Sequence, residues 1–269
     1  MNFLFWNISR KDLTKYAAEL ALTHDIDLLV LAESRTSPIR ILRALNSGRE
    51  VRWAFAATPV PLKNGLQLYV RGASSFVIPK FDLPRVSIRQ VRFPASAPMT
   101  LAIAHLQSPM YLSEDDRASA AAQIVSVIRQ VEVDVGHTRT VIVGDLNMDP
   151  FSKGLVSADA FNAVMTRYIA SGESRSIANR PYHFFFNPTW QLFSDGDKQP
   201  AATYYYRNPG FSSLNWHVYD QVLVRPRLMN AFDAAELKVL DQSPSGPLHD
   251  GYGYPKISDH FPIKFKLLI

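Results

Sequence analysis

The sequence predicts an α/β fold in which helices cover mixed sheets, and three observations carry that expectation. Val141-Ile142-Val143-Gly144-Asp145 is a β-branched run suited to a strand buried on both faces, and its glycine frees the backbone where acidic and amide side chains begin. Strands of this kind alternate with amphipathic helical stretches through the first half of the chain. Residues 53–93 read instead as short alternating strands punctuated by Pro and Gly, an antiparallel meander.

Taken in order, Asn2–Trp6 is an aromatic-rich strand that delivers Asn7 at its end. Ser9-x-x-Asp12 has the form of a capping box, and Leu13, Tyr16, Ala17, Leu20 and Ala21 then fall on one helical stripe. After the turn at residues 25–27, Leu28–Leu31 is a buried strand ending on Ala32-Glu33. Residues 38–47 form a short helix carrying Arg40 and Arg43; with Arg35, Arg49 and Arg52 they make a basic cluster, read either as a solvated face or as a phosphate contact. The meander contains strands at Leu66–Val70, Ser74–Ile78 and Val86–Phe93.

Thr100–Ala104 is another buried strand, and it ends on His105. Ser113-x-x-Asp116 opens a long helix whose stripe, Ala121, Ile124, Val125, Ile128 and Val131, packs on a sheet. Beyond Pro150 a helix is expected near Ala158–Ala170, then a loop-rich segment, Ser171–Gly210, whose aromatics (Phe184–Phe186, Trp190, Tyr204–Tyr206) either pack or stack on bases. Tyr219–Val224 is a strand with Asp220 near its start, Asp241–Pro255 a surface loop, and Phe261–Leu268 a last strand directly after Ser258-Asp259-His260.

Length and composition bound the rest. A chain of 269 residues, 47% hydrophobic and without an obvious linker, is expected to be one domain, residues 1–269. Its 29 basic against 24 acidic residues give a net charge of +5, a mild bias toward a polyanionic partner. The absence of cysteine excludes disulfides and thiolate zinc sites. No apolar run approaches the ~18 residues of a membrane span, and the start lacks the pattern of a signal peptide, so a cytoplasmic location is the default expectation.

Polar residues therefore stand at strand boundaries throughout: Asn7, Glu33, His105, Asp145 with Asn147, Asp220, and Asp259 with His260. Carboxylates and amides suit a hard divalent cation such as Mg²⁺ or Mn²⁺, and histidines suit a phosphoryl oxygen or a leaving group. Asp145 and Asn147, two apart, are expected to project to one side of an extended chain, a carboxylate to take a proton and an amide to hold a water.

These stretches, Phe3–Asn7, Leu31-Ala32-Glu33, Ala104-His105, Gly144-Asp145-Leu146-Asn147, Tyr219-Asp220 and Ser258-Asp259-His260, closely resemble the endonuclease/exonuclease/phosphatase superfamily, in family order across nearly the whole chain. The resemblance implies a four-layer α/β/β/α sandwich, two mixed β-sheets packed face to face in the manner of DNase I, with the active site at one end of the sheets. It implies Glu33 as principal ligand of Mg²⁺ or Mn²⁺, with Asn7 and Asp259 as ligands or close supports. It makes Asp145, assisted by Asn147, the group that prepares the attacking water, and His260, held by Asp220, the donor to a non-bridging phosphate oxygen. His105 would help the leaving group and Arg35 would contact phosphate. One departure stands out: Lys63–Lys80 contains no acid to partner His105 as a glutamate does in DNase I. The expected activity is a metal-dependent phosphodiesterase, a nuclease acting on DNA or RNA. The alternatives are a phosphomonoesterase or lipid-headgroup hydrolase on the same core, and a catalytically silent scaffold, disfavoured because every core position is filled.

Overall fold

The computed structural model describes residues 1–48, 50–56, 65–193, 200, 202–207 and 214–269. Two large sheets dominate it. The first contains β1 (Asn2–Asn7), β2 (Leu28–Ala32), β3 (Trp53–Phe55), β4 (Gln67–Arg71), β12 (Phe232–Val239) and β13 (Ile263–Leu267) in the order β12-β13-β1-β2-β4-β3. The second contains β5 (Val77–Leu83), β6 (Val86–Val91), β7 (Met99–His105), β8 (Thr140–Asp145), β9 (Ala163–Val164), β10 (Phe185–Phe186) and β11 (Asp220–Val224) in the order β5-β6-β7-β8-β11-β10-β9. Both are mixed: β1 runs parallel to β2 and β7 to β8, while β11 returns antiparallel to β8.

Side-chain alternation builds the layers. In the second sheet Leu101, Ile103, Val141, Val143, Val222 and Val224 face the core shared with Phe3, Phe5 and Phe265 of the first sheet. Their neighbours Ala102, Ala104, Ile142 and Leu223 face outward onto α3 (Glu114–Val135), where Ala121, Ile124, Val125, Ile128 and Val131 supply the matching stripe. Helices α1 (Thr14–Thr23) and α2 (Pro38–Asn46) bury Ala17, Leu20, Ile41 and Leu45 on the other side of the first sheet. The architecture is the four-layer sandwich expected from the sequence. The α3 capping box also forms, Ser113 accepting from the Asp116 N–H and Gly136 closing the helix at φ 73°.

Several expectations are corrected. The Ser9/Asp12 box does not cap α1: Ser9 and Arg10 occupy left-handed positions (φ 50° and 62°), and Asp12 accepts from the N–H and hydroxyl of Thr14 while the helix starts at that residue. The meander over 53–93 is not one unit, because β3 and β4 pair in the first sheet and β5 and β6 in the second, with a 3₁₀ turn at Ser74–Phe76 where the chain passes between them. A helix over 158–170 does not form. Asn162 turns at φ 49°, Ala163–Val164 pairs with β10, and only one helical turn, Arg167–Ala170, remains. The segment from Ser171 holds more order than a loop, with a hairpin of Ser174–Ile177 against Arg180–His183 and the core strand β10. The last strand is shorter than expected, Ile263–Leu267. Of the basic cluster, Arg49 lies outside the described residues, as do Lys63 at the start of the acid-free segment and parts of the 171–210 segment.

Candidate active site

The strand register assembles the site. His105 on β7 stands opposite Asp145 on β8, and Asp145 stands opposite Asp220 on β11, so three side chains lie in one row across adjacent strands. Each extends an inward-facing apolar row of its own strand, such as Val141-Val143-Asp145, and so faces the first sheet. From that sheet Asn7, which ends the Phe3-Phe5 row of β1, donates from Nδ2 to Asp145 Oδ2 at 3.0 Å. Gly144 makes the row possible, since a Cβ there would sit 1.8 Å from the Ala104 carbonyl oxygen on β7.

Asp145 is fully buried and anchored at both oxygens, Oδ2 by Asn7 and Oδ1 by the Asn147 N–H at 3.0 Å. Burial pushes its pKa up against the opposing pull of His260 and of these donors. Asn147 is not on an extended chain with Asp145 as the spacing suggested. It turns in the left-handed region at φ 50°, and its side chain donates to the Leu106 carbonyl at 3.0 Å, which fixes the amide beside the carboxylate.

His260 Nδ1 meets Asp220 Oδ2 at 2.8 Å, while Nε2 points toward Asp145 Oδ2 at 3.8 Å. Burial alone would lower the His260 pKa, but Asp220, Asp145 and Asp259 together outweigh it and raise it to about 10. His105 is opposite in character. Burial lowers its pKa to about 4, Nε2 lies 3.6 Å from both Glu33 and Asp145, and Nδ1 has no hydrogen-bond partner among the described residues. Among the described residues no acid reaches that nitrogen.

Glu33 follows β2 in a left-handed conformation, φ 54°, and pairs with Arg10, Nε to Oε2 at 3.1 Å. Non-glycine residues held there carry strain of the sort that collects at functional sites. Asp259 is half-buried, accepts from the Ser258 hydroxyl at 3.3 Å, and acts on Asp145 and His260 through its charge. Arg35 is exposed and lines a cavity of about 270 Å³ with Arg10, Glu33, Ser34 and Gly65. Sequence reasoning missed Arg10 and Trp6, whose indole N–H donates to the His260 carbonyl at 2.9 Å, and noted Tyr204 among the segment's aromatics without tying it to His260, whose ring lies 4.5 Å from it. Trp6 stands beside Asn7, which was a usable signal; Arg10 lies in a turn and had none, and Tyr204 sits on a two-residue strand that leaves no periodic signal.

The ligand atoms of Asp145, Asp220 and His260 also lie within 4.8 Å of one another, but the 2.8 Å Asp220–His260 contact and the raised His260 pKa make that trio a hydrogen-bonded ion pair rather than a free ligand set. Among the described residues four carboxylates, Glu33, Asp145, Asp220 and Asp259, face the charges of Arg10 and His260, an excess of acidic groups that suits a divalent ion. Beside Asn147 a second cavity, about 250 Å³, is lined by Met110, Tyr204, Tyr206, His217 and Tyr219.

No family model and no curated protein sequence matches the chain. Solved structures do. An endonuclease/exonuclease/phosphatase family protein from Bacteroides thetaiotaomicron aligns at 14% identity and TM-score 0.59 over 99% of this chain and 97% of its own. The catalytic domain of human Nocturnin with bound sulfate aligns at 13% and 0.57 over 98% and 92%. D. rerio TDP2 complexed with a single-strand DNA product aligns at 15% and 0.55 over 98% and 97%. The likeness is one of fold: the chain has the four-layer α/β/β/α sandwich of these proteins.

Proposed function

We propose that the protein is a Mg²⁺- or Mn²⁺-dependent phosphodiesterase, a nuclease hydrolysing DNA or RNA, built as a single domain whose first and last strands pair in one sheet. The observation that carries this reading is the row of His105, Asp145 and Asp220 facing Asn7, with His260 clasped by Asp220, at the end of the sheets. The single-strand DNA in the TDP2 complex and the sulfate in Nocturnin, proteins of the same fold, support a phosphate ester as substrate.

Glu33, with Asn7 and Asp259, would hold the cation, an oxygen set matched to a hard divalent ion. His260 is set apart from this set, because in its protonated form both ring nitrogens carry hydrogens and donate. When bound, the cation would polarise a phosphoryl oxygen and offset the charge that builds on it. Asp145 takes the proton of the attacking water; burial strengthens it as a base, and Asn7 and the Asn147 N–H hold it in place. His260 donates from Nε2 to a non-bridging oxygen, and Asp220 fixes its ring and charge. His105, buried and neutral, lies with Nε2 beside Glu33 and Asp145, and its role as proton donor to the leaving group lacks an acidic partner at Nδ1 among the described residues. Arg35 and Arg10 stand where a phosphate entering past Glu33 would meet them. The cavity of Met110, Tyr204, Tyr206 and Tyr219 offers aromatic faces to a nucleobase on the other side.

Purified protein with Mg²⁺ or Mn²⁺ should be incubated in parallel with single- and double-stranded DNA, RNA, inositol polyphosphates and sphingomyelin. Cleavage of a nucleic acid, lost on chelation, is expected; turnover of inositol phosphates or sphingomyelin alone would replace this reading with that of a monoesterase or headgroup hydrolase.

A further inference from the structure

The opposite end of the second sheet carries a second collection of polar side chains. β8 enters there at Thr140, five residues and so about 17 Å of strand from Asp145. Beside it, at the last turns of α3, lies a cavity of about 720 Å³ lined by Arg129, Glu132, His137, Arg139, His183 and Arg227 among others.

The carboxylates at this end are already engaged. Glu132 is clasped by Arg225, Nε to Oε1 at 2.9 Å and Nη2 to Oε2 at 3.1 Å, and accepts the Thr140 hydroxyl at 2.7 Å. Glu173 pairs with Arg227 at 3.4 Å. Arg129 and Arg139 meet no carboxylate among the described residues; the Arg139 guanidinium donates to the carbonyls of Pro98 and Ala97, at 3.0 and 3.5 Å. Three buried donors at this end are unspent. Arg129 Nε and Nη2 have no hydrogen-bond partner among the described residues, and its guanidinium meets only the face of Tyr182, 6.0 Å away. His137 Nδ1 accepts the Arg139 N–H at 3.3 Å, which places the proton of the neutral ring on Nε2, and that atom too is buried without a partner. Buried donors are almost always satisfied, and donors on charged groups cost the most when they are not. Arg129, His137 and Arg139 line the same cavity, and a guanidinium fork or an imidazole N–H on such a wall matches the oxygens of a phosphate group.

We propose that this cavity is a second binding site, remote from the candidate active site, for a small phosphate-class anion such as inorganic phosphate or pyrophosphate, held by Arg129, His137 and Arg139. It stands independently of the catalytic reading. The test is a titration of ¹⁵N-histidine-labelled protein with inorganic phosphate and with pyrophosphate at constant ionic strength, His137 and His260 being followed separately. His137 Nε2 should shift along a saturating curve. Arg129→Gln should weaken that curve at least tenfold, and Arg129→Lys, which keeps the charge and loses the fork, should fall between the two. Both variants should keep the circular dichroism spectrum and melting temperature of the parent, which reports that they fold. A curve unchanged in both variants, a His137 signal that does not move, or the same response to added chloride would overturn the proposal.

Discussion

Asp145 shows how much of a site one side chain can reveal. In the sequence it was a carboxylate at the end of a β-branched run; in the structure both its oxygens are bonded, and it lies in register with His105 and Asp220. A base acts on the chemical step more than on substrate binding, so Asp145→Asn should lower kcat by at least ~10²-fold with KM nearly unchanged. The amide keeps an acceptor for the Asn147 N–H but sets its NH₂ against the Asn7 Nδ2, so the melting temperature should fall somewhat while circular dichroism stays that of the folded parent. A loss confined to KM would remove Asp145 from that role. Glu33 predicts a different signature: Glu33→Gln keeps the shape and removes the charge that faces Arg10 and His105. Calorimetric titration with Mn²⁺ should show affinity reduced beyond the ~10–100-fold that outer supporting groups cost, and parent affinity would sink the assignment. Residues such as these were legible because each ends an apolar run. Arg10 and Tyr204 were not, because their positions follow from a turn at φ 62° and from a two-residue strand, neither of which leaves a periodic signal.

Legibility among the elements followed the same physics. The buried strands β1, β2, β7, β8 and β11 and the long α3 stood out because their apolar periods are long and their caps conventional. The stretch after Pro150 was misread as a helix, because nothing local announces that Ala163–Val164 pairs with Phe185–Phe186. Close approach is equally invisible in sequence, and Gly144 is the clearest case. An added methyl would overlap the Ala104 carbonyl at 1.8 Å, so β7 and β8 must separate to admit it. Gly144→Ala should therefore destabilise the protein by about 1–3 kcal/mol or more, as overpacking does, and should also depress activity by moving His105 away from Asp145. Denaturant unfolding monitored by the tryptophans measures the first effect, and a midpoint equal to that of the parent would contradict the register argument.

At the scale of the whole molecule, the pairing of β1 with β13 joins residues near the two ends of the chain, Asn2 opposite Lys266, and brings Ser258 onto Asn7, its hydroxyl donating to the Asn7 carbonyl at 2.7 Å. No local pattern shows this; it was reachable only because the motifs at both ends resembled those of one family. The same scale decides how the surface charge is used. Of the arginines that cluster after Glu33 in the sequence, Arg40 is held by Asp12 at 2.7 Å, and Arg52 donates to the Asn46 carbonyl. Among the described residues no carboxylate pairs with Arg35 or Arg43, both exposed. If a nucleic-acid backbone crosses this face, each neutralised phosphate releases counterions, so affinity should fall log-linearly with salt by ~0.7–0.9 log units per contact per decade. Binding of Asp145→Asn protein to a labelled oligonucleotide across a salt series measures that slope. Replacing Arg35 and Arg43 together with alanine should flatten it by up to about two contacts, whereas Arg40→Ala should change it less, because Asp12 already offsets that charge. A double variant that keeps the full slope would move the backbone off this face, and an oligonucleotide that does not bind at any salt would favour a small phosphate ester as the substrate.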